Sequence, residues 1–368
     1  MKVLLAGGGT AGHVFPAIAL AREVVSMGHD VRFVGTSGGQ EGRLVSEAGF
    51  ELVAVEARPF ERRISLRAVT APIAAVRSVK ACRPLVEAAD VVVGMGGYVS
   101  VPVVLAALRS RRPVVLHEQN AVPGLANRAL SRVAGAVALT FADADRFFPR
   151  RVRREVTGNP VREEILRVPG ERDRLAEEGR TVLGLEEGRR TVVVFGGSQG
   201  ALHLDRATLG AARLMAARSD LQVVVLTGTA HVEAMARALP PGGDGILVRL
   251  FGYLDRMELA YAVADLVVAR AGATTIAELS VCGLPSLLIP YPYATRGHQE
   301  ANARALQRTG GAGVMLDDQL SAETLAGRIE SLVDHPERLL AMSERAAAFG
   351  HPDAAFRLAD LVEEVGAA

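Results

Sequence analysis

The chain has 368 residues, 49% of them hydrophobic and 23% charged, which is too long for one ordinary domain and too apolar for a disordered chain. Lys and Arg total 42 against 41 Asp and Glu, and a net charge of +1 excludes a dedicated electrostatic binder of nucleic acid. The two cysteines, Cys82 and Cys282, stand in no metal-ligand spacing; free thiols in a reducing cytosol are expected, with one long-range disulfide as the alternative.

The opening Lys2–Ala6 reads as a buried strand running into Gly7-Gly8-Gly9-Thr10-Ala11-Gly12, then a helix over Pro16–Met27. Residues 3–21 carry no Asp, Glu, Lys or Arg, and Lys2 precedes them as in a secretory signal. The four glycines, however, would break the apolar helix that such a signal needs. Gly7, Gly9 and Gly12 fit the G-x-G-x-x-G fingerprint, in which a helix N-terminus and close-approaching backbone hold an anion. A nicotinamide enzyme should also carry an acid at the end of its second strand. Here that strand, Val31–Gly35, ends Phe33-Val34-Gly35-Thr36, and Asp30 lies before it. The dinucleotide reading fails and the anion site stands, beside the plainer reading that the glycines serve a tight turn. His13, directly after the loop, reads either as a structural histidine or as a catalytic base.

A third strand is expected at Leu52–Val55. Residues 62–83 place Arg62, Arg63, Arg67, Arg77, Lys80 and Arg83 around Ile64, Leu66, Val69, Ile73 and Val76. This is either a basic amphipathic helix lying on anionic lipid or a surface helix whose apolar stripe faces the core. The uncharged run 91–108 is long enough to suggest a membrane span. With Gly94, Gly96, Gly97, Ser100 and Pro102 inside it, it reads instead as strand Val91–Val93, glycine turn and helix. Strands follow at Val114–His117 and Ala136–Leu139. Asp143-Ala144-Asp145 imitates the D-x-D of metal-dependent sugar-nucleotide enzymes, but reads better as a solvated helix start, so metal catalysis is disfavoured.

Residues 151–168, rich in charge and containing Asn159-Pro160, read as a crossing between domains. The pattern then restarts with strands Thr191–Phe195, Leu221–Leu226, Ile246–Leu250, Leu266–Ala269 and Ser286–Ile289, and the first again runs into a glycine loop, Gly196-Gly197-Ser198-Gln199-Gly200. Two α/β halves with parallel sheets follow, and a cleft between them is the expected site. The last helix, roughly Ser343–Val365, is expected to pack back on the first domain.

The ordered set Gly7–Pro16 (GGGTAGHVFP), Gly94–Ser100 (GMGGYVS), His117–Asn120 (HEQN), Gly158–Arg162 (GNPVR), Gly196–Ala201 (GGSQGA), Arg270–Glu278 (RAGATTIAE) and His298–Ala303 (HQEANA) closely resembles the MurG N-acetylglucosaminyltransferases of peptidoglycan synthesis, over nearly the whole chain. The resemblance implies the GT-B fold: two Rossmann-like parallel-sheet domains facing across a cleft. Residues 1–157 would form an acceptor-binding, membrane-associating domain, with 341–368 packed back on it, and 158–340 a UDP-N-acetylglucosamine domain. It implies inverting transfer of N-acetylglucosamine to the muramoyl 4-hydroxyl of lipid I, giving lipid II, with no cofactor or metal. The enzyme would be peripheral on the cytoplasmic face of the plasma membrane, with UDP-N-acetylglucosamine, lipid I, an anionic membrane surface and other cell-wall synthesis proteins as partners.

On the donor side the resemblance implies Thr10, Gly12, Asn120, Arg162, Ser198, Gln199, Leu254, Ala273, Thr274, Thr275, Glu278, His298 and Gln299, with Asn302 nearby. Glu278 would hold both ribose hydroxyls, or is an ordinary helix-surface acid. Ser198 and Thr275 would bond the diphosphate, the backbone of 251–254 would read uracil, and Gln299 the sugar hydroxyls. Arg162 would neutralise phosphate charge or brace the interdomain joint. On the acceptor side it implies Thr10, Gly12, His13, Gly96, Gly97, Tyr98 and Asn120, with His13 as base. Two departures from the family pattern are Ala11, where many members have glycine, and the absence of tryptophan from the apolar patch. Rivals are a UDP-sugar 2-epimerase, another glycosyltransferase of the same fold acting on a small acceptor, and a non-catalytic binding module.

Overall fold

The structure is a computed structural model that describes residues 1–8, 11–36, 40–55, 66–197, 200–239 and 244–368, with backbone only for Ala11, Gln40 and residues 66–75. Two compact units emerge, Met1–Arg162 with His351–Ala368, and Glu163–Gly350.

In the first unit, strands β1 (Lys2–Ala6), β2 (Asp30–Gly35), β3 (Leu52–Ala54), β4 (Val91–Gly94), β5 (Val114–Glu118), β6 (Ala136–Leu139) and β7 (Arg153–Val156) alternate with helices α1 (Ala11–Ser26), α2 (Gln40–Glu47), α3 (Leu66–Glu87), α4 (Gly97–Arg109) and α5 (Leu125–Leu130). The sheet is parallel throughout, in the order β3-β2-β1-β4-β5-β6-β7. Parallel strands covered on both faces must be apolar on both, and β1 is: Leu4 and Ala6 face α3 and α4, while Val3 and Leu5 face α1 and the C-terminal helix.

The second unit opens with helices α6 (Glu163–Leu166) and α7 (Val168–Leu183). Strands β8 (Arg190–Phe195), β9 (Leu221–Leu226), β10 (Leu247–Phe251), β11 (Leu266–Ala269), β12 (Ser286–Leu288) and β13 (Ala312–Val314) then alternate with α8 (Leu202–Leu214), α9 (Val232–Ala236), α10 (Met257–Val263), α11 (Ala273–Val281) and α12 (His298–Thr309), before α13 (Ala322–Val333) and α14 (Pro336–Phe349). Its parallel sheet runs β10-β9-β8-β11-β12-β13. Val192, Val223 and Val268 pack under α8 and α13, and Val193, Val224 and Val267 are fully buried on the other face.

Four local differences from the sequence reading have physical causes. The charged stretch expected as a crossing contains β7, whose Arg153, Arg154 and Glu155 are tolerated because it is an edge strand. The short β13 with Gly313 is the other unit's edge and gives too weak a pattern to be seen. The single last helix is two: α14 ends at Phe349 and α15 (Ala354–Ala367) begins after Gly350-His351-Pro352. An acid does reach the end of β2, but from α2. Glu41 is buried and accepts from the Thr36 amide at 3.2 Å and the Thr36 hydroxyl, so its carboxylate is engaged within the fold.

The run 91–108 folds as strand, glycine turn and helix, and among the described residues no helix is long and apolar enough to cross a membrane. In α3, Val79, Cys82 and Val86 face the core while Arg77, Lys80 and Arg83 are exposed. Of the basic stretch, Arg62, Arg63 and Ile64 lie outside the described residues, as do the side chains of Leu66, Arg67, Val69 and Ile73. Both cysteines are buried free thiols in different units; burial pushes Cys82 up to about 11 and raises Cys282 as well.

Candidate functional site

In each unit the first strand has its outgoing neighbour on one side and its returning neighbour on the other: β1 lies between β2 and β4, β8 between β9 and β11. The connections leaving such a pair of strands diverge over the carboxyl edge, and the crevice they leave is where open α/β sheets bind ligands. Both glycine loops fall at these switch points.

In the first unit two glycine turns meet. Gly96 and Gly97 adopt φ of +95° and +78°, a conformation that disfavours side chains. A Cβ on Gly97 would stand 2.4 Å from the Gly8 carbonyl oxygen, and one on Gly96 would stand 2.9 Å from the His13 imidazole. So His13, in the first turn of α1, lies against the turn after β4, with Gly12 beside it. Tyr98, in α4, is half-buried against the core.

The next loop is organised by a buried carboxylate. Glu118 accepts from the Asn120 amide at 3.0 Å, the Gly124 amide at 3.2 Å and Asn127 Nδ2 at 2.9 Å. Burial raises its pKa, and these donors pull it back. Asn120 therefore has a fixed backbone. His117 is fully buried, and its Nε2 donates to the Gly158 carbonyl at 3.2 Å. Burial lowers it to about 4; the Gly158 bond opposes this and nearby His13 adds to it. Gly158, at φ +84°, packs where a Cβ would be 2.4 Å from His351 Cβ. Arg162 stacks its guanidinium over the Phe15 ring, 4.5 Å from the centroid.

In the second unit Gly200 donates to the Gly197 carbonyl at 2.9 Å, and a Cβ on it would overlap the Thr227 carbonyl. Opposite, Gly272 caps α11, followed by Ala273, Thr274 and Thr275 in its first turn. Glu278, one turn on, is buried rather than a surface acid, and its Oε2 accepts from the Tyr261 hydroxyl at 2.8 Å. Tyr261 is fully buried and stacks at 6.1 Å on Phe195, the last residue of β8. Gln299 Oε1 accepts from the amides of Ala271 at 3.2 Å and Tyr291 at 2.9 Å, and Asn302 Nδ2 donates to the Ala271 carbonyl at 3.3 Å. These bonds tie α12 to the switch point. His298 Nδ1 donates to the Thr295 carbonyl at 2.8 Å. Leu254 is half-buried on the connection after β10.

The expected site residues thus fall into two groups. Gly12, His13, Gly96, Gly97, Tyr98, Asn120 and Arg162 belong to the first unit. Leu254, Ala273, Thr274, Thr275, Glu278, His298 and Gln299 belong to the second. Thr10, Ser198 and Gln199 lie outside the described residues. Glu118 and Tyr261 were missed as supports. Glu118 stands inside the His117–Asn120 motif and so had a signal, whereas nothing in the sequence linked Tyr261 to Glu278. Asp143 and Asp145 sit in a 3-10 turn, with Asp145 paired to Arg154 at 3.2 Å. Among the described residues no group of three His, Cys, Asp or Glu is placed to hold a metal ion.

Two family models match the chain: the glycosyltransferase family 28 N-terminal domain over residues 3–139 and the family 28 C-terminal domain over 191–358. The UDP-N-acetylglucosamine–N-acetylmuramyl-(pentapeptide) pyrophosphoryl-undecaprenol N-acetylglucosamine transferase of Halothermothrix orenii is 42% identical, over 99% of each chain. That of Bacillus licheniformis is 37% identical, again over 99% of each. The chain belongs to the MurG family. The crystal structure of Acinetobacter baumannii MurG matches with a TM-score of 0.80 at 27% identity, covering 99% of both chains. The UDP-N-acetylglucosamine 2-epimerase of Neisseria meningitidis, at 14% identity and a TM-score of 0.68, shares the fold alone.

Proposed function

We propose that this MurG-family chain transfers N-acetylglucosamine from UDP-N-acetylglucosamine to the muramoyl 4-hydroxyl of lipid I, forming lipid II for the cell wall. The acceptor is held by the first unit and the donor by the second. The observation that carries this reading is the full-length likeness to the Halothermothrix orenii transferase, which spans both switch points at 42% identity.

On the donor unit, Glu278 has the chemistry to accept both ribose hydroxyls, and the Tyr261 hydroxyl fixes its orientation. Gln299 spends its oxygen on two backbone amides, so its Nε2 group is the one presented to sugar oxygens. Ser198 and Gln199, which precede α8 in the sequence, and Thr275, in the first turn of α11, hold the diphosphate. Ala273 and Thr274 complete the α11 end, and the backbone of 251–254 with Leu254 takes uracil. As UDP leaves, its charge meets two helix N-termini, and this is why the reaction needs no divalent ion. His298 flanks the sugar.

On the acceptor unit, glycine against glycine leaves backbone amides rather than side chains to face the lipid diphosphate. Gly12, Gly96, Gly97, Tyr98 and Asn120 line the pocket with Thr10, and Arg162, on the same unit, neutralises phosphate charge on the donor as UDP leaves. His13 takes the proton from the 4-hydroxyl as that oxygen attacks the anomeric carbon; UDP departs from the opposite face, so α-linked donor gives β-linked product. The lipid acceptor brings the enzyme, as a peripheral protein, to the cytoplasmic face of the plasma membrane and its anionic lipid, among other cell-wall synthesis proteins.

The test is transfer of labelled N-acetylglucosamine to a short-chain lipid I analogue with EDTA present. A β-1,4-linked disaccharide is expected. No product from folded enzyme, with magnesium and a longer lipid also failing, would overturn the reading. A His13→Ala enzyme with near-normal turnover would remove His13 as base.

A further inference from the structure

At the start of α8 lies a charged cluster that the transfer chemistry does not use. Asp205 is the fourth residue of α8, and its amide donates to the Ala201 carbonyl, at the end of the loop, at 2.9 Å. Its side chain is 0% exposed, and among the described residues neither carboxyl oxygen has a hydrogen-bond partner. The charge that faces it is Arg270, on the connection leaving β11, which is the returning side of the same switch point. Arg270 directs its own bonds elsewhere: Nη1 donates to Asp317 Oδ1 at 2.6 Å and to the carbonyls of Ile289 at 3.1 Å and Pro290 at 3.2 Å. Its buried Nε, like Asp205, is without a partner among the described residues. Asp317 also pairs with His203 at 3.1 Å, so Asp205, Arg270, Asp317 and His203 make up the ionisable cluster.

A buried carboxylate that nothing bonds at hydrogen-bond distance is strongly disfavoured, and the nearby Ala201 amide and a cation committed to another acid only partly relieve it. The neutral acid escapes that penalty and keeps an O–H to donate. Burial pushes Asp205 up to about 7, against the pull of the Ala201 amide and of Arg270. A diphosphate brought to the start of α8 adds negative charge above it and favours the neutral form further. By linkage, the neutral form must then bind the diphosphate more tightly.

We propose that Asp205 is a proton-linked residue beneath the donor site: as the neutral acid it leaves the start of α8 free of negative charge, and its ionisation weakens binding of the donor diphosphate there. This rests on the reading that the loop after β8 holds that diphosphate. UDP-N-acetylglucosamine is a suitable probe because its phosphates do not titrate near neutrality.

Calorimetry of UDP-N-acetylglucosamine binding between pH 6 and 8, below the ionisation of uracil, without acceptor, tests it. The dissociation constant should be flat below about pH 7 and then weaken, approaching tenfold per pH unit until the complex itself ionises. Binding at pH 8 in buffers of different ionisation enthalpy should show proton uptake. Asp205→Asn should bind tightly and without this pH dependence, while His203→Gln should keep it. Uridine should bind independently of pH. Absence of proton uptake by the unmodified enzyme, or an Asp205→Asn profile that tracks it, overturns the proposal while UDP-N-acetylglucosamine still outbinds uridine. If the diphosphate adds nothing over uridine, the underlying reading of the loop fails instead.

Discussion

The crevice between β1 and β4 is closed by glycine against glycine with two histidines near it, whereas the one between β8 and β11 is underlaid by buried Asp205, Arg270 and Glu278. The strand topology around the two is the same. The difference shows that topology sets the place of a site and a few side chains beneath it set its chemistry. Where backbones touch, as at Gly8 and Gly97, no side chain fits between them. Where charge is buried, the site acquires a dependence on protons.

The largest effect that would sharpen this contrast is at the glycines. Gly97→Ala must take φ +78° and a Cβ 2.4 Å from a carbonyl oxygen, so a loss of about 3 kcal/mol or more is expected in urea unfolding. Gly272→Ala, at φ −64° with its nearest neighbour 3.5 Å away, should cost under about 1 kcal/mol. Equal losses would erase the distinction.

Next come opposite pH dependences of stability. His117 is held neutral, its pKa lowered to about 4, so stability present above the unfolded value near 6.5 is lost as pH falls from there toward 4. Asp205, raised to about 7, favours the protonated fold, so stability present at acid pH is lost as pH rises from about 4 toward 7. Each window spans on the order of 3 kcal/mol. Hydrogen exchange read separately from the two units should show opposite slopes, abolished in turn by His117→Asn and Asp205→Asn.

Smaller still, Tyr261→Phe removes one buried hydrogen bond to Glu278, and the donor KM should rise about five- to tenfold with the acceptor KM unchanged. Phe15→Leu withdraws the ring beneath Arg162 and should lower kcat/KM by about two- to fivefold. An effect of Tyr261→Phe confined to the acceptor KM would assign the second crevice to the wrong substrate.

The interior strands and both glycine loops were legible because a strand buried on two faces must be almost wholly apolar, as Val91–Val93 and Thr191–Phe195 are. The edges were not: β7 carries Arg153, Arg154 and Glu155, and only its pairing with β6 makes it a strand. Gly12, His13, Glu278 and Gln299 were nameable because each lies in or beside a loop with its own local signature. Their supports were hidden, since Tyr261 reaches Glu278 across 17 positions and Arg270 reaches Asp317 across 47. Glu41 shows the same blindness, because a scan for an acid at the end of β2 does not see one folded back from the following helix.

The first unit is finished by the last residues of the chain. Leu358, Ala359, Leu361 and Val362 of α15 cover Leu5, Val93 and Val115 on one face of its sheet. During synthesis that face must wait for the 188 residues from Glu163 to Gly350, the whole second unit, to emerge first. At a ribosomal rate of about 5–20 residues per second the delay is roughly 10–40 s. Through that interval the valine and leucine side chains that α15 will bury stay open to water.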